Sequence, residues 1–206
     1  WVLGIEQRER LVCIAREHQL ILIEDAAYAF LAEDAPPPQA QLAPERTVYV
    51  GGLSKSVATG LRVGFVVAPA QWVPALERTI MATVWNAPGV MTAIAAGWID
   101  DGTVLQLEAQ KRQDAQARQA LATEVLVGLD YIAHPSSYFL WLPLGEDTRA
   151  DQIVMALARE NISVSTAEPF CVSTLVPHAV RLALGSVDKS ALRAALLKVR
   201  WVVAGY

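Results

Sequence analysis

Apolar and polar positions recur along this chain with two different periods, and the switches between them outline its elements. From Glu6 to His18 the spacing is helical: Leu11, Ile14 and Ala15 share one face, and Arg8, Glu9, Arg16 and Glu17 share the other. The uninterrupted run Leu20-Ile21-Leu22-Ile23 then predicts a strand covered on both faces, as in a parallel sheet, ending at Glu24-Asp25. A helix followed by a buried strand is half of a βαβ unit. Residues 34–46 form a loop, because Pro36-Pro37-Pro38 can continue neither a helix nor a central strand. Strands are predicted at Thr47–Val50 and Val63–Ala68, the second closed by Pro69.

The next stretch reads as helical. Gln71–Trp85 is one helix, and the Ala-rich segment Val90–Ile99 is a second, apolar enough to be buried. Asp100-Asp101-Gly102 stops it, and Thr103 is placed to cap a long helix running to about Leu129. The middle of that helix is polar (Glu108, Lys111, Arg112, Asp114, Arg118), as in helices that bridge two lobes. Beyond it come strands at Tyr138–Leu142, Ile162–Ser165 and Val180–Leu184. Helices are predicted at Arg149–Glu160, with Ile153, Val154 and Leu157 inward, and at Asp188–Val203, with Leu192, Ala195, Leu196 and Val199 inward. The pattern describes a small α+β lobe after residues 103–129.

Composition narrows the function classes. A chain of 206 residues with 53% hydrophobic positions supports a sizeable core and excludes disorder. A formal net charge of -4, with no block of one sign, gives no electrostatic footprint for nucleic acid on this segment. No apolar stretch has the length of a membrane span. Cys13 and Cys171 lack metal-type spacing and read as reduced thiols in a cytoplasmic protein. The first residue is Trp1, not Met, and the helical pattern starts almost at once, so the chain reads as a piece of something longer.

The candidate chemistry lies at strand ends. Gly51-Gly52-Leu53-Ser54-Lys55 follows one predicted strand, and Arg62 sits seven residues beyond Lys55. A Lys at the end of a buried strand is desolvated, and an amine with a lowered pKa is a nucleophile toward an aldehyde. A phosphate-binding P-loop is excluded, since that motif needs Gly directly before the Lys and Ser54 stands there. A solvated loop Lys is the plain alternative. Asp25 and Tyr28 follow the preceding strand, where a helix-capping Asp with a packed Tyr is the plain alternative. His18, His134 and His178 show no pairing pattern, and spacing assembles no Ser/His/Asp triad.

Taken in order, Ile23-Glu24-Asp25-Ala26-Ala27-Tyr28, Gly52-Leu53-Ser54-Lys55, Gly60-Leu61-Arg62-Val63-Gly64 and Val180-Arg181-Leu182-Ala183-Leu184-Gly185 resemble fold type I pyridoxal-phosphate enzymes, the class I and II aminotransferases. The resemblance covers nearly the whole chain. It is closest to the aminotransferase-like effector half of MocR-type regulators of the GntR group, with free-standing aminotransferases next.

The resemblance implies an α/β fold: part of a mostly parallel large-domain sheet over residues 1–102, and a bridging helix with a small α+β C-terminal domain over residues 103–206. It implies pyridoxal 5'-phosphate as cofactor. Lys55 would form the Schiff base and then move the substrate α-proton. Asp25 would pair with the pyridine nitrogen, and Tyr28 would donate to the ring phenolate oxygen. Ser54 and Arg62 would hold the phosphate, and Arg181 would clamp a carboxylate of an amino acid or keto acid ligand. A second Ser or Thr often stands two residues before the Ser-Lys pair in this family, and here that place is Gly52. The family's phosphate loop, its ring-stacking aromatic and its phenolate-binding Asn would precede Trp1. The implied partners are a second copy of the chain and a small amino or keto acid. DNA would be reached only through an additional N-terminal winged helix. An enzyme, a non-turnover regulatory domain and a degenerate structural fragment are the three readings left open.

Overall fold

The computed structural model describes residues 2–145 and 148–206. Two compact units divide the chain, Val2–Lys111 and Arg112–Tyr206.

In the first unit, helix α1 spans Ile5–Glu17. Its end is closed by Gln19 in the left-handed region (φ 54°) and by a bond from the Leu20 amide to the Ala15 carbonyl at 2.8 Å. Strand β1 (Leu22–Asp25) pairs in parallel with β2 (Thr47–Gly52), in the register Leu22 to Thr47 and Asp25 to Val50. Between them the proline loop ends in the single helical turn α2 (Gln39–Leu42). β2 leads directly into another single turn, α3 (Leu53–Ser56), and pairs antiparallel with β3 (Gly64–Val67), with Gly51 opposite Phe65 and Gly52 opposite Gly64. The Phe65 ring lies over Gly51, where a Cβ would run into it. After β3 come α4 (Val73–Thr83) and α5 (Gly89–Asp100).

Four expectations are corrected here. The buried face of α1 is Val12 and Ala15, not Leu11 and Ile14, because the side bearing Arg8 is drawn inward by its polar partners. The first strand starts two residues later than expected, and its apolar residues are not covered on both faces: Ile23 is 75% exposed. The sheet is mixed, with one parallel and one antiparallel pairing among the described residues. Helix α5 buries only Ala95 and leaves Val90, Ile94 and Ile99 exposed.

Helix α6 (Thr103–Val125) contains the division between the units. Asp101, not Thr103, supplies the capping carboxylate, accepting the Thr103 amide at 2.9 Å. The hydrogen bonds with Thr103 hold the Asp101 carboxyl below its ordinary pKa.

The second unit is an antiparallel sheet in the order β4 (Ile132–Ala133), β5 (Phe139–Pro143), β7 (Ala179–Ala183), β6 (Ser165–Thr166). Sequence reading missed β4 and placed β6 too early. Helices α7 (Ala150–Arg159) and α8 (Lys189–Ala204) complete it. Alternation along β5 and β7 sends Leu140, Leu142, Val180 and Leu182 into a core shared with Ile153, Leu157, Leu192, Leu196 and Val199. Each such side chain contributes about 1.5–3 kcal/mol of burial. Asp188 caps α8 by accepting the Ala191 amide at 2.8 Å. Among the described residues no helix is long and apolar enough to cross a membrane.

Candidate functional site

Two neighbouring carboxylates end β1, and strand alternation gives them opposite surroundings. Glu24 turns inward. It pairs with Arg8 at 3.3 Å, with side chains 16% and 13% exposed, and accepts the Ala40 amide at 3.2 Å. Arg8 also donates to the carbonyls of Leu3 and Pro37, so one ion pair ties α1, β1, the proline loop and α2 together. Asp25 turns outward and is exposed. It accepts the Ala27 amide at 3.0 Å, while the Ala26 amide holds the strand end against β2 through the Val50 carbonyl at 2.9 Å. The turn that follows, Ala29–Leu31, takes no side-chain cap, so Asp25 folds its own turn and does not cap a helix.

β2 runs out at Gly52, where α3 begins. Leu53 and Ser56 are buried; Leu53 packs with Leu61, Ala95 and Val104, and its amide donates to the Val63 carbonyl at 3.0 Å. Lys55 lies on the opposite side of the same turn and is exposed. The desolvated lysine expected from sequence is therefore corrected for this chain: Lys55 stands three residues beyond the end of β2, and the turn rotates its side chain away from its buried neighbours. The Lys55 ammonium is 6.0 Å from the centre of the Tyr28 ring, which brings the ends of β1 and β2 together. Ser54 is half-buried beside it.

Arg62 follows the turn Thr59–Leu61 in the left-handed region, at φ 52° and ψ 31°. A non-glycine residue there costs about 1–2 kcal/mol, a strain that clusters at ligand-holding turns. Its side chain is exposed.

Arg181 belongs to the second unit, at the centre of β7. One face of β5 and β7 is core; the other carries Phe139, Trp141 and Arg181. The guanidinium lies 4.8 Å from the Phe139 ring centre and 4.6 Å from that of Phe170. Its Nε is buried without a hydrogen-bond partner, a donor that an anionic acceptor would satisfy. Trp141 meets Phe170 edge-on at 6.4 Å. Gly185 lets Tyr138 approach, since an added Cβ would sit 3.0 Å from the ring. Burial, reinforced by the charge of Asp114, pushes the Tyr138 phenol up to about 12.

So Asp25, Tyr28, Ser54, Lys55 and Arg62 all belong to the first unit, and Arg181 to the second. Sequence reading missed four contributors. Glu24 was read only as a strand end. Phe139 and Phe170 flank Arg181 through strand pairing and a loop that spacing does not reveal. Lys111, 56 residues after Lys55, donates from Nζ to the Lys55 carbonyl at 2.7 Å.

Chemically, the first unit offers an amine beside a phenol and a carboxylate on adjacent strand ends, with a hydroxyl and a guanidinium after them. The model of the family "Aminotransferase class I and II" matches residues 2–199. The HTH-type transcriptional regulator YdeF of Bacillus subtilis is 26% identical over 88% of this chain and 40% of its own length. The 2-aminoadipate transaminase of Thermus thermophilus is 26% identical over 90% of this chain and 49% of its own. The crystal structure of LysN, an alpha-aminoadipate aminotransferase from Thermus thermophilus complexed with N-(5'-phosphopyridoxyl)-L-leucine, superposes with a TM-score of 0.86 at 22% identity. It covers 98% of this chain and 55% of that one. The chain thus spans about half the length of the relatives it matches, and with the family model extending over almost all of it, it belongs to the class I and II aminotransferases.

Proposed function

We propose that this chain is a pyridoxal-phosphate-binding, amino-acid-responsive domain, the effector part of a MocR/GntR-type transcriptional regulator. The observation that carries the reading is the exposed Lys55 amine, 6.0 Å from the Tyr28 ring, on a turn whose other side is anchored in the core. The donor set suits this cofactor: an amine for an aldehyde, a carboxylate for a pyridinium, and a hydroxyl with a guanidinium for a phosphate.

When bound, the cofactor supplies an electron sink. Lys55 Nζ would be the point of attachment and the base for an amino acid α-proton. Asp25 would keep the proton on the ring nitrogen by Coulomb attraction, and Tyr28 would donate to the ring oxygen. Ser54 and Arg62 would hold the phosphate. Arg181, with Phe139 and Phe170 flanking its guanidinium and Nε still to be satisfied, would pair with a carboxylate of an amino acid or keto acid. The protein would work in the cytoplasm as a homodimer, with DNA contacted by a separate winged helix. The regulator among the relatives supports this choice.

A second reading, an aminotransferase that turns over, is favoured by the transaminase matched over 90% of the chain. Both are tested by adding pyridoxal phosphate to the full-length protein and recording its visible spectrum with and without Lys55→Ala. We expect a band in the wild type that the variant loses. No Lys55-dependent band would sink both readings. Amino transfer to a keto acid, measured on the same sample, would favour the enzyme over the regulator.

A further inference from the structure

We infer that Lys111 is a positioning residue for Lys55, an inference that rests on the cofactor reading above. The turn α3 is too short to hold itself, since one helical turn fixes several dihedral angles for a single hydrogen bond. It needs support at both ends. At its start the Leu53 amide bonds to Val63. At its end the amides of Val57 and Ala58 both converge on the Leu53 carbonyl, at 2.8 and 3.1 Å, and the carbonyls of Lys55 and Val57 are left without intrahelical donors.

Lys111 reaches across from α6 and supplies a donor to both, at 2.7 Å to Lys55 and 3.3 Å to Val57. A cation at the carbonyl end of a helical turn is favoured by the backbone dipoles as well as by the hydrogen bonds. The bond is made to the main chain of Lys55 itself, so it fixes the Cα from which the reactive amine swings. Half-burial of Lys111 lowers its pKa by desolvation.

Three variants of the full-length protein separate the possibilities. Lys111→Met keeps the stem and removes the donors. Lys111→Arg keeps charge and donors. Lys111→Gln keeps donors without charge. Without cofactor, hydrogen exchange at the Val57 and Ala58 amides should speed up by about tenfold in Lys111→Met and return to within about threefold of wild type in Lys111→Arg. With pyridoxal phosphate, the Lys55-dependent band should form about tenfold more slowly in Lys111→Met, with partial recovery in both Lys111→Gln and Lys111→Arg. Unchanged exchange in Lys111→Met would overturn the inference, as would a band that forms at the wild-type rate. If the wild type forms no Lys55-dependent band, the cofactor reading fails separately, and the exchange result still decides whether Lys111 holds the turn.

Discussion

The two units bury their side chains to very different degrees. Among the described residues of Arg112–Tyr206, fourteen side chains from α6, β5, β7, α7, α8 and the segments between them form one buried cluster. In Val2–Lys111, the buried cluster beneath the lysine turn has four: Leu53, Leu61, Ala95 and Val104. Ile23, Phe65, Val66, Val67, Trp85 and Val90 of that unit are exposed. It is held by directional contacts instead: the Arg8–Glu24 pair and its carbonyl acceptors, the parallel β1–β2 pairing, and the Lys111 clamp. The unit that carries five of the six candidate residues is thus the one with less apolar packing of its own. Strand ends and tight turns can present an amine and a carboxylate to a ligand only by leaving them out of the core.

Three substitutions would break or sharpen this contrast, each read by hydrogen exchange within its own unit. The largest effect is expected at the packed core. Ile153→Ala, at a fully buried position, should destabilise the second unit by about 3–4 kcal/mol, seen as faster exchange throughout α7 and α8. A cost under about 1 kcal/mol would mean that this core is looser than its burial implies. Next comes the polar tie. Arg8→Met leaves Glu24 partly buried beside an apolar stem and should cost the first unit about 2 kcal/mol, opening the amides of β1 and α2 first. The smallest effect is expected on the open sheet face. Ile23→Ser should change the stability of the 206-residue chain by less than about 0.5 kcal/mol. A large loss there would show that the face is covered in solution.

Legibility in the sequence followed the range of the forces involved. Helices α7 and α8 are set by the recurrence of neighbours three and four residues apart, and α6 by the stop and start signals at 100–103; each was placed to within a few residues. The lysine turn was readable because Gly51-Gly52 and the Arg62 segment are local signals. Burial was not. The runs at Leu20–Ile23 and Val90–Ile99 were read as interior from hydrophobicity alone, yet hydrophobicity states only what a side chain would gain from cover, not whether cover exists. The same reasoning misjudged the surroundings of Lys55, whose exposure depends on which side of the turn after β2 it occupies.

By itself the sequence determined the order of elements, the α/β character, and the position of Asp25, Tyr28, Ser54, Lys55 and Arg62 after strands, because each follows from spacing along the chain. Only the tertiary structure decided that Glu24 is bound by Arg8 while Asp25 stays free of the core, that Lys111 grips the turn of Lys55, and that Phe139 and Phe170 flank Arg181. These are contacts between residues up to 56 positions apart. They rest on strand register and helix placement, which no local pattern encodes.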